Sequence, residues 1–213
     1  MDLPESISGP KLLRLRDLYA HGMDREAVQE ALKAGILVRP TAFSDKPEHG
    51  VYATAISMSD EYLPDLPDAM IAFLFEGQAI YHGQYAAMRH GLATSLSGKT
   101  QILLPAATRV KERDGIDITR TRRQAALTEG IDEITTLFGI SYKITSKART
   151  VIDLMRARNR SDDDWRHAMD AMSSYLDEGG DQSELIRLSH FFENWLHPII
   201  ETALHSSSRG YSL

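Results

Sequence analysis

The chain contains no cysteine and only two tryptophans among its 213 residues. Without cysteine there can be no disulfide, no thiolate metal site and no thiol nucleophile. No apolar run approaches the roughly 18 residues that a membrane span requires. The opening MDLPESISG has neither a basic stretch nor an apolar one, so no secretory leader is expected and the chain reads as cytoplasmic. The formal charge of −6 gives no overall attraction to nucleic acid. GxxxxGK[ST] and GxGxxG are both missing; Gly98-Lys99-Thr100 lacks the upstream glycine that a phosphate loop needs. Nor is there a pair of strands bearing Asp and Glu-x-Lys, the arrangement with which a nuclease gathers carboxylates on a metal. No enzyme activity, cofactor or metal is expected.

What the chain does have is segregated charge. Residues 99–123 carry seven basic side chains against three acidic ones, and 143–160 carry six against one. Residues 161–213 reverse the balance, with ten acidic against three basic. The basic centre can face phosphates or a protein partner, or can receive the acidic C-terminal helices of its own chain.

The first sixty residues are the most patterned. Gly9-Pro10 opens a stretch in which Leu12, Leu15, Leu18 and Tyr19 recur at helical spacing, leaving Lys11, Arg14 and Arg16 outside. His21-Gly22 breaks it, and Asp24 can cap a second helix that buries Ala27, Val28, Ala31 and Leu32 and ends at Gly35. Ile36–Val38 and Val51–Thr54 then favour strands, joined by the ten-residue polar tip TAFSDKPEHG. Helix, turn, helix and hairpin is the order of a winged helix-turn-helix, whose second helix enters the major groove. On that helix Arg25, Gln29 and Lys33 fall at i, i+4 and i+8. Arginine and glutamine can grip guanine and adenine edges, and lysine can neutralise phosphate. Glu26 and Glu30 flank them, so a solvated face of ion-paired side chains would give a similar pattern. Lys11, Arg14, Arg39, Lys46 and His49 complete the candidate DNA-binding set.

Further on, SDEYLPDLPD (59–68) reads as a linker or helix start and AIYHGQYAAMRHGL (79–92) as a helix packing Tyr85, Ala86, Met88 and Leu92. KTQILLP (99–105), GIDITRT (115–121) and EITTLFGISYKITS (133–146) read as three or four strands. SKARTVIDLMRAR (146–158) reads as a helix capped by Ser146, with Val151, Ile152, Leu154 and Met155 inward. Arg109, Lys111, Arg113, Arg120, Arg122, Arg123, Lys147 and Arg149 form a candidate basic patch. Arg149 and Asp153 are also i,i+4 neighbours suited to a helix-stabilising pair. His82 and His90 lie too far apart along one helix to share a metal. Asp162–Asp164 suit the first turn of a helix through its dipole. Residues 161–178 and 181–206 read as two helices, the second with a broad apolar face from Leu185 to Ile200 and a possible kink at Pro198.

The order of these segments resembles the AbiEi family of antitoxin-like transcriptional regulators, from bacterial toxin–antitoxin and phage-defence operons. The matching stretches are the helix-turn-helix and hairpin ending GVYAT (50–54), QYAAMRHGL (84–92), ILLP (102–105) and ITSKARTVIDLM (144–155). Two features depart from the family: a longer hairpin tip, and Ala148 where an acidic residue commonly precedes the Arg-Thr pair. The resemblance implies an α+β chain in three parts. These are a winged helix-turn-helix over 1–58, an α/β antitoxin-like domain over 59–160, and an acidic helical extension over 161–213 packed on the second domain. It implies repression of the operon's own promoter at an inverted repeat of double-stranded DNA, in the bacterial cytoplasm and on the nucleoid when bound. It also implies neutralisation of a nucleotidyltransferase-like toxin, by contact or otherwise, and no catalysis. A reading from a different class stays open, in which the chain is a protein-interaction module binding a toxin directly and the wing is only structural.

Overall fold

A computed structural model describes residues 3–41, 43, 47–48, 50–93, 99–156, 162–192 and 195–208. The chain is α+β and divides into two compact units, residues 1–79 with 133–142, and residues 80–132 with 143–213. The division falls elsewhere than at 58 and 160. Among the described residues no helix is long and apolar enough to cross a membrane.

Unit 1 begins with β1 (Leu12–Arg14), α1 (Leu15–Ala20) and α2 (Arg25–Lys33), followed by β2 (Leu37–Val38), β3 (Val51–Thr54) and α3 (Leu66–Leu74). The expected first helix is thus shortened by a strand. Leu12, Leu13 and Arg14 pair antiparallel with Ala53, Tyr52 and Val51, and Leu12 and Leu13 are both buried. Consecutive leucines point to opposite faces of a strand, and here each joins a separate apolar cluster; a partner strand some forty residues on decides the matter. Leu15 and Tyr19 consequently face outward rather than inward. The backbone N–H of Arg14 donates to Asp17 Oδ2 at 2.7 Å, so the helix starts where its first-turn acid can satisfy that group.

After α1, Gly22 takes a φ of +85°, and Met23 N–H closes on the Leu18 carbonyl at 3.1 Å. This left-handed residue lets the chain reverse within four residues. Asp24 caps α2 as expected, its carboxylate accepting from Ala27 N–H at 2.8 Å. Val28 and Ala31 are buried; Ala27 and Leu32 are only partly so. The sheet order is β1-β3-β2, with β2 antiparallel to β3. The stretch 59–68 is no linker: Leu66, Ala69 and Met70 of α3 pack against Leu12, Val51 and Ala53, with Phe138 and Ile140 beside them.

Unit 2 contains β4 (Ile80–Tyr81), α4 (Gly83–Arg89), β5 (Thr100–Pro105), β6 (Ile116–Thr121), α5 (Gln124–Thr128), α6 (Lys147–Arg156), α7 (Asp162–Asp177), α8 (Gln182–Phe192) and α9 (His197–Ser208). The strands β7 (Ile131–Thr135) and β8 (Ser141–Thr145), of which residues 133–135 and 141–142 are counted with unit 1, complete a five-stranded sheet of order β6-β5-β4-β8-β7. β4 runs parallel to β8 and antiparallel to β5, while β5 and β6 run parallel.

The helix expected over 79–92 begins only at Gly83, because Ile80 and Tyr81 are strand residues at the middle of this sheet. Ala86, Ala87 and Leu92 are its buried positions; Tyr85 and Met88 are half-buried. In α6 all four expected residues are buried, and Ser146 Oγ accepts from Arg149 N–H at 3.2 Å. The helix expected over 181–206 is two helices, and its break precedes Pro198. Leu185, Leu188, Phe192, Leu196 and Ile200 are buried there, in one core with Val151, Ile152 and Met172, while Phe191 and Trp195 stay exposed.

Candidate nucleic-acid interface

Arg25, Gln29 and Lys33 all emerge into solvent from α2, and none makes an ion pair among the described residues. Two turns of helix bring them to one side, as 3.6-residue periodicity requires. Glu26 and Glu30 are exposed beside them. The face can therefore offer one planar fork, one amide and one ammonium to a ligand at little desolvation cost.

The remaining candidates in unit 1 separate. Arg39 is exposed, its guanidinium 5.9 Å from the centroid of the Tyr52 ring. Lys11 turns its ammonium onto the Ser6 carbonyl. Arg14 is half-buried: it bonds Glu76 at 2.9 Å and the Phe73 carbonyl at 3.2 Å, and lies 5.3 Å from the Phe73 ring centroid. Its charge is committed to α3 and the turn after it, so Arg14 is withdrawn from the phosphate-binding set. Lys46 and His49 lie outside the described residues.

The expected basic patch of unit 2 also splits. Arg109, Lys111, Arg120 and Arg122 are exposed and make no ion pair among the described residues. Arg113 is half-buried, and burial pushes its pKa down. Lys147 pairs with Glu178. Arg123 is exposed at 5.9 Å from the Phe192 ring centroid.

Arg149 is a correction: at 1% exposure it belongs to no surface. Its Nε donates to Asp153 Oδ1 at 3.0 Å and its Nη1 to the Glu129 carbonyl at 2.8 Å. Its guanidinium carbon lies 3.6 Å from the Phe192 ring centroid. Burial lowers its pKa, and Asp153 opposes that shift. The expected i,i+4 pair is present, but as an internal tie between α6, the α5–β7 turn and α8. Gly130, in that turn, has a φ of +60°, and a Cβ there would lie 2.8 Å from the Arg149 Cβ.

Two half-buried histidines lie in the same unit. His90 closes α4, its Nε2 donating to the Thr145 carbonyl at 2.6 Å. His82 lies in register with Gln101, to whose carbonyl its N–H donates at 3.3 Å, and Gln101 is in turn paired with Asp117. Its Nε2 is a buried atom with no hydrogen-bond partner. Burial is the main cause that lowers both imidazole pKa values; the Thr145 carbonyl opposes it at His90, and Asp153 at His82. No group of three or more potential metal ligands occurs among the described residues. The side chains of Asp162–Asp164 lie outside them. A cleft of about 480 Å³ opens at the start of α6, but two of its lining charges are already paired, Lys147 with Glu178 and Glu184 with Arg187.

With this geometry in hand, comparison with solved structures gives a match to the crystal structure of the RV2827C protein from Mycobacterium tuberculosis. The TM-score is 0.54 at 18% identity, over 85% of this chain and 67% of that one. The likeness is one of fold. No protein-family model and no curated protein matches the sequence.

Proposed function

We propose that the chain is a DNA-binding transcriptional repressor and antitoxin of the AbiEi-like kind, acting in the bacterial cytoplasm without catalytic chemistry of its own. In this reading unit 1 is a winged helix-turn-helix. α2 reads the operator through Arg25 and Gln29, Lys33 and Arg39 hold phosphates, and the hairpin between β2 and β3 is the wing. Unit 2 provides the means of countering a nucleotidyltransferase-like toxin.

One observation carries the reading. The exposed Arg25, Gln29 and Lys33 share a face of α2, which follows α1 after a four-residue turn and precedes an antiparallel sheet of order β1-β3-β2. Such an arrangement presents a second helix for the major groove with strands alongside it. The rival, an interaction module with a structural wing, draws on Glu26 and Glu30, whose carboxylates stand beside the reading face and repel phosphate.

Equilibrium binding to double-stranded DNA from upstream of its own operon, at two salt concentrations, tests the proposal. Log affinity should fall with log salt at about −0.9 per phosphate neutralised. Absent or salt-independent binding overturns it. Co-purification with the neighbouring gene's product, resistant to nuclease, would then favour the rival.

A further inference from the structure

The outer edge of unit 2's sheet has a feature that DNA binding does not use. β6 is an end strand, joined to the sheet by β5 alone. The two run parallel in a register that pairs Thr100 with Ile116 and continues to Pro105 with Thr121. Thr100 N–H donates to the Gly115 carbonyl and Ala106 N–H to the Thr121 carbonyl, both at 2.8 Å. In a parallel ladder this phase turns the peptide groups of Asp117, Thr119 and Thr121 toward β5. Those of Ile116, Ile118 and Arg120 point the other way. Ile116 N–H is taken by the Arg113 carbonyl at 3.3 Å. Ile118 and Arg120 retain an outward N–H and C=O each, with no backbone partner among the described residues.

The charge around this edge is mainly positive, seven basic side chains against three acidic ones over 99–123. Arg120 lies on β6 and Arg122 just beyond it, both exposed. Because β5 and β6 are parallel, the connection over 106–115 must return along the length of the strand pair, carrying the exposed Arg109 and Lys111 with it, together with the exposed Glu112 and Asp114. Asp117 falls at the alternate position, on the opposite face of the strand from Arg120.

We infer that the β6 edge receives an extended, acidic segment of a partner protein, added as a sixth strand. Its main chain bonds to Ile118 and Arg120, and its carboxylates meet Arg109, Lys111, Arg120 and Arg122. Edge strands are natural templates for such addition, the backbone giving affinity and the side chains selectivity. A second copy of this chain is disfavoured as the occupant, since it would set four cations against four. Phosphates of a nucleic acid can use the charges and the outward N–H groups, but have no donor for the outward C=O groups. The inference does not depend on DNA binding by unit 1.

The test uses the full chain and a capped decapeptide alternating glutamate and valine, with a short DNA duplex as the competing probe. Addition of the peptide should slow hydrogen exchange at the Ile118 and Arg120 amides, leaving Asp117 and Thr119, already bonded to β5, unchanged. Ile118→Pro removes an outward N–H together with a half-buried side chain, and leaves the bonds to β5 intact, a substitution that edge strands accommodate. It should weaken peptide binding by at least about tenfold, as should Arg120→Glu with Arg122→Glu. Protection absent at both amides in the unaltered chain, a readout that no variant's folding can affect, overturns the inference. So does peptide binding that survives Ile118→Pro but not charge reversal. Duplex binding abolished by charge reversal and indifferent to the proline, in the absence of amide protection by the peptide, would make the edge a phosphate-binding surface and overturn it equally.

Discussion

The guanidinium carbon of Arg149 lies 3.6 Å from the centroid of the Phe192 ring, with the Asp153 carboxylate 3.0 Å from its Nε. The cation is thus held by a carboxylate in its own helix and a ring face from α8. Arg149→Ala would leave the nearly buried Asp153 still paired with Arg156. Breaking a buried pair from one side costs about 3–5 kcal/mol, and the rescue from Arg156 places the expected loss at the lower end. Phe192→Leu, which keeps apolar bulk but removes the ring face, should cost about 1–2 kcal/mol. Urea denaturation of both variants measures these losses; values within error of the unaltered chain would deny the tie between α6 and α8.

Gly130→Ala should destabilise unit 2 for two reasons that add. The residue's φ of +60° is unfavourable to any side chain, and the new methyl would meet Arg149 Cβ at 2.8 Å. The backbone cost alone is about 1–2 kcal/mol. A thermal scan should show a lowered Tm, whereas Gly139→Ala, at φ +69° with nothing near its added methyl, should show the smaller backbone cost only.

Stability should decline on mild acidification. His82 and His90 both have folded-state pKa values lowered by burial, so the unfolded chain binds more protons than the folded one across the window between the two states. Their contribution is complete above the unfolded value of about 6.5 and is lost as pH falls through the folded values. His82→Gln removes one of the two titrations and should flatten the fall in Tm below that pH. An unchanged slope would mean that His82 is hydrated and free to protonate.

If α2 reads bases, Arg25→Ala and Gln29→Ala should each relax sequence preference by about 1–3 kcal/mol at the base pair contacted. Lys33→Ala should instead weaken all sequences alike and reduce the salt slope by about one. Binding competition among operator variants separates these outcomes. Uniform loss from all three would leave α2 a phosphate-binding helix.

Local chemistry made part of this architecture readable in advance. Asp24 announced α2, Ser146 announced α6, and β-branched runs marked β5, β6 and β8, because a cap or an alternating pattern needs only near neighbours. Leu12–Arg14 reads as helix from the sequence because leucines spaced for a helix also suit a strand, and the arbiter is Val51–Ala53. The same distance hid the depth of Arg149. Its pairing with Asp153 was visible as i,i+4 spacing, but its burial depends on Phe192 and the Glu129 carbonyl. Arg14 likewise looked like a surface cation, since Glu76 and the Phe73 carbonyl that engage it lie some sixty residues on. The α2 face could be located from the sequence, whereas the free edge of β6 depends on strand order, which no single stretch encodes.

The path of the chain has a practical consequence for dissecting the protein. Residues 133–142 belong to unit 1, although the backbone reaches them only after passing through part of unit 2. Phe138 and Ile140 pack with Leu12, Val51 and Met70. A fragment ending at 79 would omit two apolar side chains from the core on which α3 rests, and a fragment ending at 58 would omit α3 as well. The α2 face is therefore not portable by a single cut, and domain-swap experiments between relatives should graft 133–142 together with the N-terminal segment.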